Sequence, residues 1–320
     1  MSGTIHRLSE PLDGRELCCF LLAGEGRTVL LDAGVAATPA RTVAPALRRL
    51  GRQLDLVVVS HADVDHSGGL GALQRLRPGL PAAAHARDRE QIASVELMLA
   101  RRYREFRDEH AIDQEPAFVA WVRDNADDGA VTETVADGDR LDLGGGWALD
   151  VLHLPGHTPG HLALHDPADG TAIVADAVLG AAARDGDGRA AFAPTYRDVA
   201  DYRATIARLR ALAPSRLLTS HFPVVEGGDR VAAFLDESER ACDAIERAVL
   251  DALAGGAPRT AAELIAAVAE RVRSWPPAAD GTLAQPVVGH LEELAARGLV
   301  ARAGGRPVAW RLAADPDARP

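Results

Sequence analysis

The sequence contains no lysine. All 35 basic residues are arginine, which excludes Schiff-base chemistry on a lysine and the phosphate-binding lysine of a P-loop. Cysteine is scarce: Cys18 and Cys19 are adjacent and Cys242 stands alone. No disulfide framework can be built from them, and a reducing, cytoplasmic setting is expected. Long apolar runs are also missing. No stretch approaches roughly 18 apolar residues free of charge, so no membrane span is expected. The N-terminal MSGTIHRLSEPLDGRE lacks the apolar core of a signal peptide. Positive charge is in deficit too, with 46 acidic residues and a net charge of −11. That balance argues against a protein that binds nucleic acid through its whole surface.

What is present fits a folded chain of 320 residues, 47% apolar and 25% charged, enough for about two domains. Short apolar runs at 17–23 and 28–32 flank the turn GEGR and read as a hairpin. Strands are expected at 54–60, 131–135, 139–143, 147–154, 161–165, 171–175 and 216–220. Helices are expected near 39–51, 70–77 and 198–212. A long helical insertion at about 86–130 carries Ile92, Val95, Leu99 and Tyr103 at helical spacing. This alternation indicates a mixed α/β domain over 1–230. Over 231–320, three helices and a β-hairpin around a Gly-Gly turn form the pattern of a small winged-helix domain.

Seven His or Asp residues fall at or just after expected strand ends: His61, Asp63, Asp65, His66, His157, Asp176 and His221. Loops at strand ends can be exposed yet rigidly held. Within the first loop, His61 and Asp63 can converge on one ion while Asp65 and His66 turn towards a second. Imidazole and carboxylate suit zinc, manganese or iron.

With PGHTPGH (155–161), LLDAG (30–34), IVADAVL (173–179) and SHFPVVEG (220–227) added to SHADVDHSGG (60–69), the chain resembles the metallo-β-lactamase superfamily over residues 17–227. The resemblance implies an αββα sandwich and two divalent metal ions, zinc first, with manganese or iron as alternatives. It makes His61, Asp63 and His157 the first metal's ligands. Asp65, His66 and His221 would hold the second, with Asp176 between them. Asp32 and His161 would support the ligands from behind. One departure stands out: the family's usual loop is His-x-His-x-Asp-His, and Asp63 replaces the second histidine. Counted with two divalent ions, Asp65, Asp176 and a bridging hydroxide, Asp63 brings the site from about +1 to about zero, a weaker Lewis acid that disfavours anionic substrates.

The resemblance implies hydrolysis by a metal-activated hydroxide, with Asp65 orienting the nucleophile and taking up its proton. Tyr196, before the helix at 198, is expected as a catalytic residue, an oxyanion or substrate contact. Small esters, thioesters or lactones are the expected substrates. A glutathione thioesterase of the glyoxalase II type is less expected, since no dedicated basic patch is evident. A nuclease or phosphodiesterase, an iron-dependent redox enzyme and a DNA-binding regulator remain alternatives. The C-terminal unit resembles the winged-helix appendage of one branch of the fold and reads as a packing, lid or dimerisation module. Its ten arginines against 13 acidic residues make a poor nucleic-acid footprint.

Overall fold

A computed structural model describes residues 3–313; residues 1–2 and 314–320 of the two expected domains lie outside the described residues. The first sheet comprises β1 (Thr4–Leu12), β2 (Arg15–Ala23), β3 (Thr28–Leu31), β4 (Leu56–Val58), β5 (Ala82–Ala84) and β6 (Glu133–Thr134), in that spatial order. Its first three strands are antiparallel and β3 to β6 run parallel. The second sheet is built from β7 (Arg140–Asp142), β8 (Ala148–His153), β9 (Leu162–Asp166) and β10 (Thr171–Ala175). After a separate small hairpin, β11 (Ala183–Arg184) and β12 (Ala190–Phe192), it is completed by β13 (Arg216–Thr219) and β14 (Val225–Glu226). Its order is β14-β13-β10-β9-β8-β7.

Side-chain parity builds the layers, because successive residues of a strand face opposite sides. Phe20, Leu22, Leu31 and Val58 point between the sheets and meet Leu149, Val151, Leu162, Leu164 and Ile173. Their neighbours Leu21, Leu30 and Val57 face outward, under α1 (Ala44–Leu50) and, beyond the short α2 (Val64–Ser67), α3 (Leu70–Leu76). On the far side Leu152, Ala163, Ala172 and Val174 pack in one core with Tyr202, Ile206 and Leu209. This is the expected αββα sandwich.

Several elements differ from the sequence expectations, among them the short strands β5, β11, β12 and β14, which have no expected counterpart. Strand β1 has no counterpart among the expected strands, since it is largely polar and carries Pro11. As an edge strand it tolerates both features. Its partner is set by a tight Asp13-Gly14 turn, with φ of 48° and 81°, the backbone that two-residue hairpins demand. The insertion expected at about 86–130 is helical but not continuous. It breaks into α4 (Arg89–Ala93), α5 (Val95–Met98) and α6 (Arg107–His110), followed by α7 (Pro116–Asn125), with a wide i→i+5 turn over Leu99–Tyr103. Ser94 causes the first break: it is extended, and its hydroxyl caps α5 by accepting from the Leu97 N–H at 3.4 Å.

Beyond α8 (Val199–Leu212) come α9 (Gly228–Leu253), α10 (Ala261–Val272) and α11 (Ala284–Ala296). Thr260 and Glu263 cap α10 reciprocally. The expected pair of C-terminal strands, β16 (Val300–Gly304) and β17 (Ala309–Leu312), gains a third from β15 (Arg259–Thr260) beside β17. The expected boundary near residue 230 falls at the start of α9. No gap in packing marks it: Val231 and Leu235 share a core with Tyr202 on one side and Leu264 and Leu291 on the other. No helix among the described residues is long and apolar enough to cross a membrane.

Candidate metal centre

All the histidines and aspartates singled out in the sequence gather at one edge of the sandwich. Asp32 follows β3, the segment His61–His66 follows β4, and His157 and His161 lie between β8 and β9. Asp176 follows β10 and His221 follows β13. The site rim carries backbone strain: Asp32 and Ala175 both adopt positive φ, 66° and 44°, which costs a non-glycine residue about 1–3 kcal/mol. In PGHTPGH, Gly156 (φ 128°) is required by contact, since a Cβ there would lie 2.6 Å from the Tyr202 backbone of α8.

Hydrogen bonds fix how each imidazole is presented. Asp32 Oδ2 can only accept, so the Ser60 hydroxyl donates to it at 2.8 Å, and His61 Nδ1 at 2.8 Å must then donate to Ser60 Oγ. His66 Nδ1 donates to the same Asp32 oxygen at 2.9 Å. His157 Nδ1 donates to the Thr195 carbonyl at 2.5 Å, and His221 Nδ1 to the Glu16 carbonyl at 2.8 Å. All four rings therefore turn Nε2 towards a common space. Such partners on the far ring nitrogen are the usual means of orienting a metal-binding histidine.

Two sets of converging donors result: His61, His157 and Asp176, and Asp65, His66 and His221, every residue buried. Asp176 Oδ2 lies 3.6 Å from His66 Nε2 and 3.3 Å from His221 Nε2. His61 Nε2, His66 Nε2 and Asp176 Oδ1 are buried without a hydrogen-bond partner. Orphaned acceptors of this kind are costly unless something binds them, and imidazole plus carboxylate is a suitable donor set for two divalent ions. The residues fit the implied metals.

The carboxylates draw positive charge into this space. Burial disfavours a charged His66, yet Asp176, Asp32 and Asp65 around it hold its pKa well above the ordinary value. Burial, the neighbouring His66 and His157 instead push His61 down. Burial would raise Asp176, but His221 and His66 hold its carboxyl well below the usual range. His161 stacks on His61 with centroids 4.7 Å apart and accepts the Asp176 N–H at Nε2, 3.3 Å. Burial and the surrounding imidazoles keep His161 neutral.

Asp63 belongs to neither of these donor sets, although its Oδ2 lies 2.9 Å from His157 Nε2 and 3.4 Å from His61 Nε2. Both of its oxygens are held by a buried arginine of the insertion, Arg102 Nε to Oδ1 at 2.9 Å and Nη2 to Oδ2 at 3.0 Å. The near-neutral charge count left out Arg102. Arg102 offsets Asp63 and returns the count to about +1, and Arg15, 2.9 Å from Asp65 Oδ2, adds a further positive charge. Tyr196 is corrected as well. It is fully buried, its hydroxyl 3.0 Å from His290 Nε2 of α11 and its ring stacked on Tyr202.

Sequence reading missed Ser60, Arg15, Arg102 and Asp88. Asp88 is buried and joins the two ligand loops, accepting from the Ala62 N–H at 3.2 Å, the Gly160 N–H at 2.8 Å and the Thr158 hydroxyl at 2.5 Å. Ser60 stands within a quoted motif and could have been found there. Nothing local distinguishes Arg102 within ARRYRE or Asp88 within ARDRE.

The comparisons with known proteins are consistent with this geometry. The profile of the metallo-β-lactamase superfamily matches residues 18–221. A protein of Ruegeria pomeroyi named hydroxyacylglutathione hydrolase is 27% identical over 241 residues, 74% of this chain and 73% of that protein. One of the same name from Fuscovulum blasticum is 29% identical over 219 residues, 68% of this chain and 66% of that protein. Among solved structures, a metallo-β-lactamase family protein from Thermus thermophilus superposes with a TM-score of 0.74 at 23% identity, covering 97% of this chain and 98% of that one. A β-lactamase domain protein from Burkholderia ambifaria gives 0.73 at 20% identity, covering 98% and 91%. Both likenesses of fold run through the C-terminal helices. The chain belongs to the metallo-β-lactamase superfamily and is a hydrolase-type enzyme of that fold.

Proposed function

We propose that this chain is a two-metal hydrolase of small acyl compounds, thioesters first, then esters and lactones. The observation that carries the reading is the set of buried, unpartnered acceptors His61 Nε2, His66 Nε2 and Asp176 Oδ1 facing one space. His61 and His157 with Asp176 would hold one ion, and Asp65, His66 and His221 the other. Zinc is the first candidate, with manganese or iron next. Bound there, the metals supply an activated water and polarise the carbonyl under attack. The chain's own part is positional. Asp65, fixed by Arg15 through Oδ2, presents Oδ1 as the atom that orients the water and takes its proton. Asp32 and Ser60 hold the rings of His66 and His61 in register.

The thioester class is favoured because the relatives named hydroxyacylglutathione hydrolase cover most of the chain. It also fits a site whose positive charge is not cancelled by Asp63. The C-terminal unit reads as a winged-helix-like packing module over 231–320. It supplies His290 to Tyr196 and Glu292 to Arg197, whose Nη1 lies 2.6 Å away. A cytoplasmic setting and a possible homodimer belong to the same proposal on sequence grounds.

The test is hydrolysis by the zinc- or manganese-loaded protein of an S-acyl glutathione, an aryl ester, a lactone and an aryl phosphodiester. Acyl turnover is expected, abolished by chelation and by His66→Ala. Turnover of the phosphodiester or of single-stranded RNA alone would favour the nuclease reading, and oxygen uptake by an iron-loaded form the redox reading. Either would overturn this one.

A further inference from the structure

We propose that Arg102 is a built-in cation that makes the two metal positions unequal, because it pairs with Asp63 and lies against Nε2 of His157. The inference rests on the two-metal reading above. Asp63 lies in the ligand loop, with Oδ2 2.9 Å from His157 Nε2 and 3.4 Å from His61 Nε2. A carboxylate so placed would ordinarily serve as a ligand. Here both oxygens face the guanidinium in a two-pronged pair, the geometry that arginine forms best. The same Nη2 lies 3.1 Å from His157 Nε2, while Nη1 donates to the His157 carbonyl at 3.1 Å. An ion bound by His157 must displace Nη2 or sit beside a positive charge.

The other donor set meets a weaker competitor. Arg15 reaches Asp65 through one oxygen only, and His66 Nε2 has no hydrogen-bond partner. The first ion therefore enters at Asp65, His66 and His221. The second enters at His61 and His157, takes Asp176 Oδ1 as its carboxylate, and binds more weakly.

Arg102 is built into its place. It is 6% exposed and sits in the wide turn over Leu99–Tyr103, which closes by the Arg104 N–H donating to the Leu99 carbonyl at 2.9 Å. The next residue, Tyr103, accepts the Val64 N–H at 2.9 Å and ties that turn to the ligand loop. Wide turns of this kind often mark functional positions. A buried guanidinium and a buried carboxylate each need the other, so removing Arg102 releases Asp63 to an ion.

Zinc binding to the metal-free full chain, measured by competition with a chromophoric chelator, counts the ions and ranks their affinities. Two unequal steps are expected, the weaker by roughly tenfold or more. Arg102→Met should tighten the weak step by about tenfold and leave the strong step in place. Asp63→Asn should leave the weak step weak in the native background and cancel the gain in the Arg102→Met background. Two equal steps in the native protein, an unchanged weak step in Arg102→Met, or loss of that step in Asp63→Asn would each overturn the inference. If circular dichroism shows Arg102→Met unfolded, Arg102→Lys takes its place, since lysine cannot hold both oxygens. The weak step should then tighten, and no change counts against the proposal. Absence of zinc binding altogether would fail the two-metal reading itself.

Discussion

Asp32 shows how much one side chain can organise from behind a site. One of its oxygens accepts the Ser60 N–H at 2.7 Å, and the other accepts both the Ser60 hydroxyl and His66 Nδ1. It thereby sets two rings, one directly and one through serine, from a left-handed backbone position that aspartate and asparagine tolerate better than most residues. Asp32→Asn keeps that backbone but gives up the charge and one acceptor. Zinc affinity of the Asp65–His66–His221 set should fall about tenfold or more, read by the same chelator competition, with secondary structure unchanged. An affinity equal to the native value would remove Asp32 from this role. The aspartate of LLDAG was legible in the sequence as a supporting carboxylate. Its division between two histidines was not, because Ser60 mediates half of it.

At the scale of elements, the centre consists of loops at strand ends, and what aligns the loops is a residue of a third segment. Asp88 precedes α4 and receives the Ala62 N–H from one ligand loop and the Gly160 N–H and Thr158 hydroxyl from the other. Asp88→Ala leaves those buried donors unpaired, a loss of about 1–3 kcal/mol for each orphaned group. Urea denaturation should show it as a lower midpoint with an unchanged slope. A midpoint equal to native would mean that water replaces the carboxylate. The strands and ligand loops were readable from short apolar runs ending in His and Asp. The insertion was readable as helical by its spacing, but its breaks at Ser94 and over Leu99–Tyr103 were not. Those breaks bring Arg102 inward, and helical periodicity carries no sign of them.

At the scale of the molecule, the C-terminal unit is fastened to the insertion that carries Arg102. Trp310 of β17 is fully buried, stacks on His110 of α6 at 6.3 Å and lies under the Arg302 guanidinium. Arg302 is itself paired with Glu109, and the Val308 N–H donates to the Glu109 carbonyl at 3.0 Å. Arg197 joins Glu105 of the insertion to Glu292 of α11. Trp310→Ala should cost about 3–5 kcal/mol and speed amide exchange over residues 106–112. A loss of stability without faster exchange there would show that the tryptophan fills its core without bracing the insertion. The same pairings bear on nucleic acid. Arg302 lies on the C-terminal hairpin, where a winged helix would meet phosphate, and is paired with Glu109, as Arg297 is with Glu246 and Glu293.

The sequence by itself determined the family, the sandwich and the set of histidines and aspartates at strand ends. Each of those signals is local: apolar alternation within a strand, and polar residues where the strand stops. Tertiary structure alone brought Arg102 to Asp63 and Arg15 to Asp65. It also brought Tyr196 to His290 and put residues of the C-terminal helices and the sandwich into one core. Those outcomes depend on contacts between residues far apart in the chain, Asp63 with Arg102 and Tyr196 with His290. A buried ion pair is set by where the fold brings two segments together, and spacing along the chain does not encode that meeting. The absence of lysine now reads more narrowly. The cations at this centre, Arg15 and Arg102, are permanently charged forks, and one of them holds a carboxylate that the motif alone would have given to a metal.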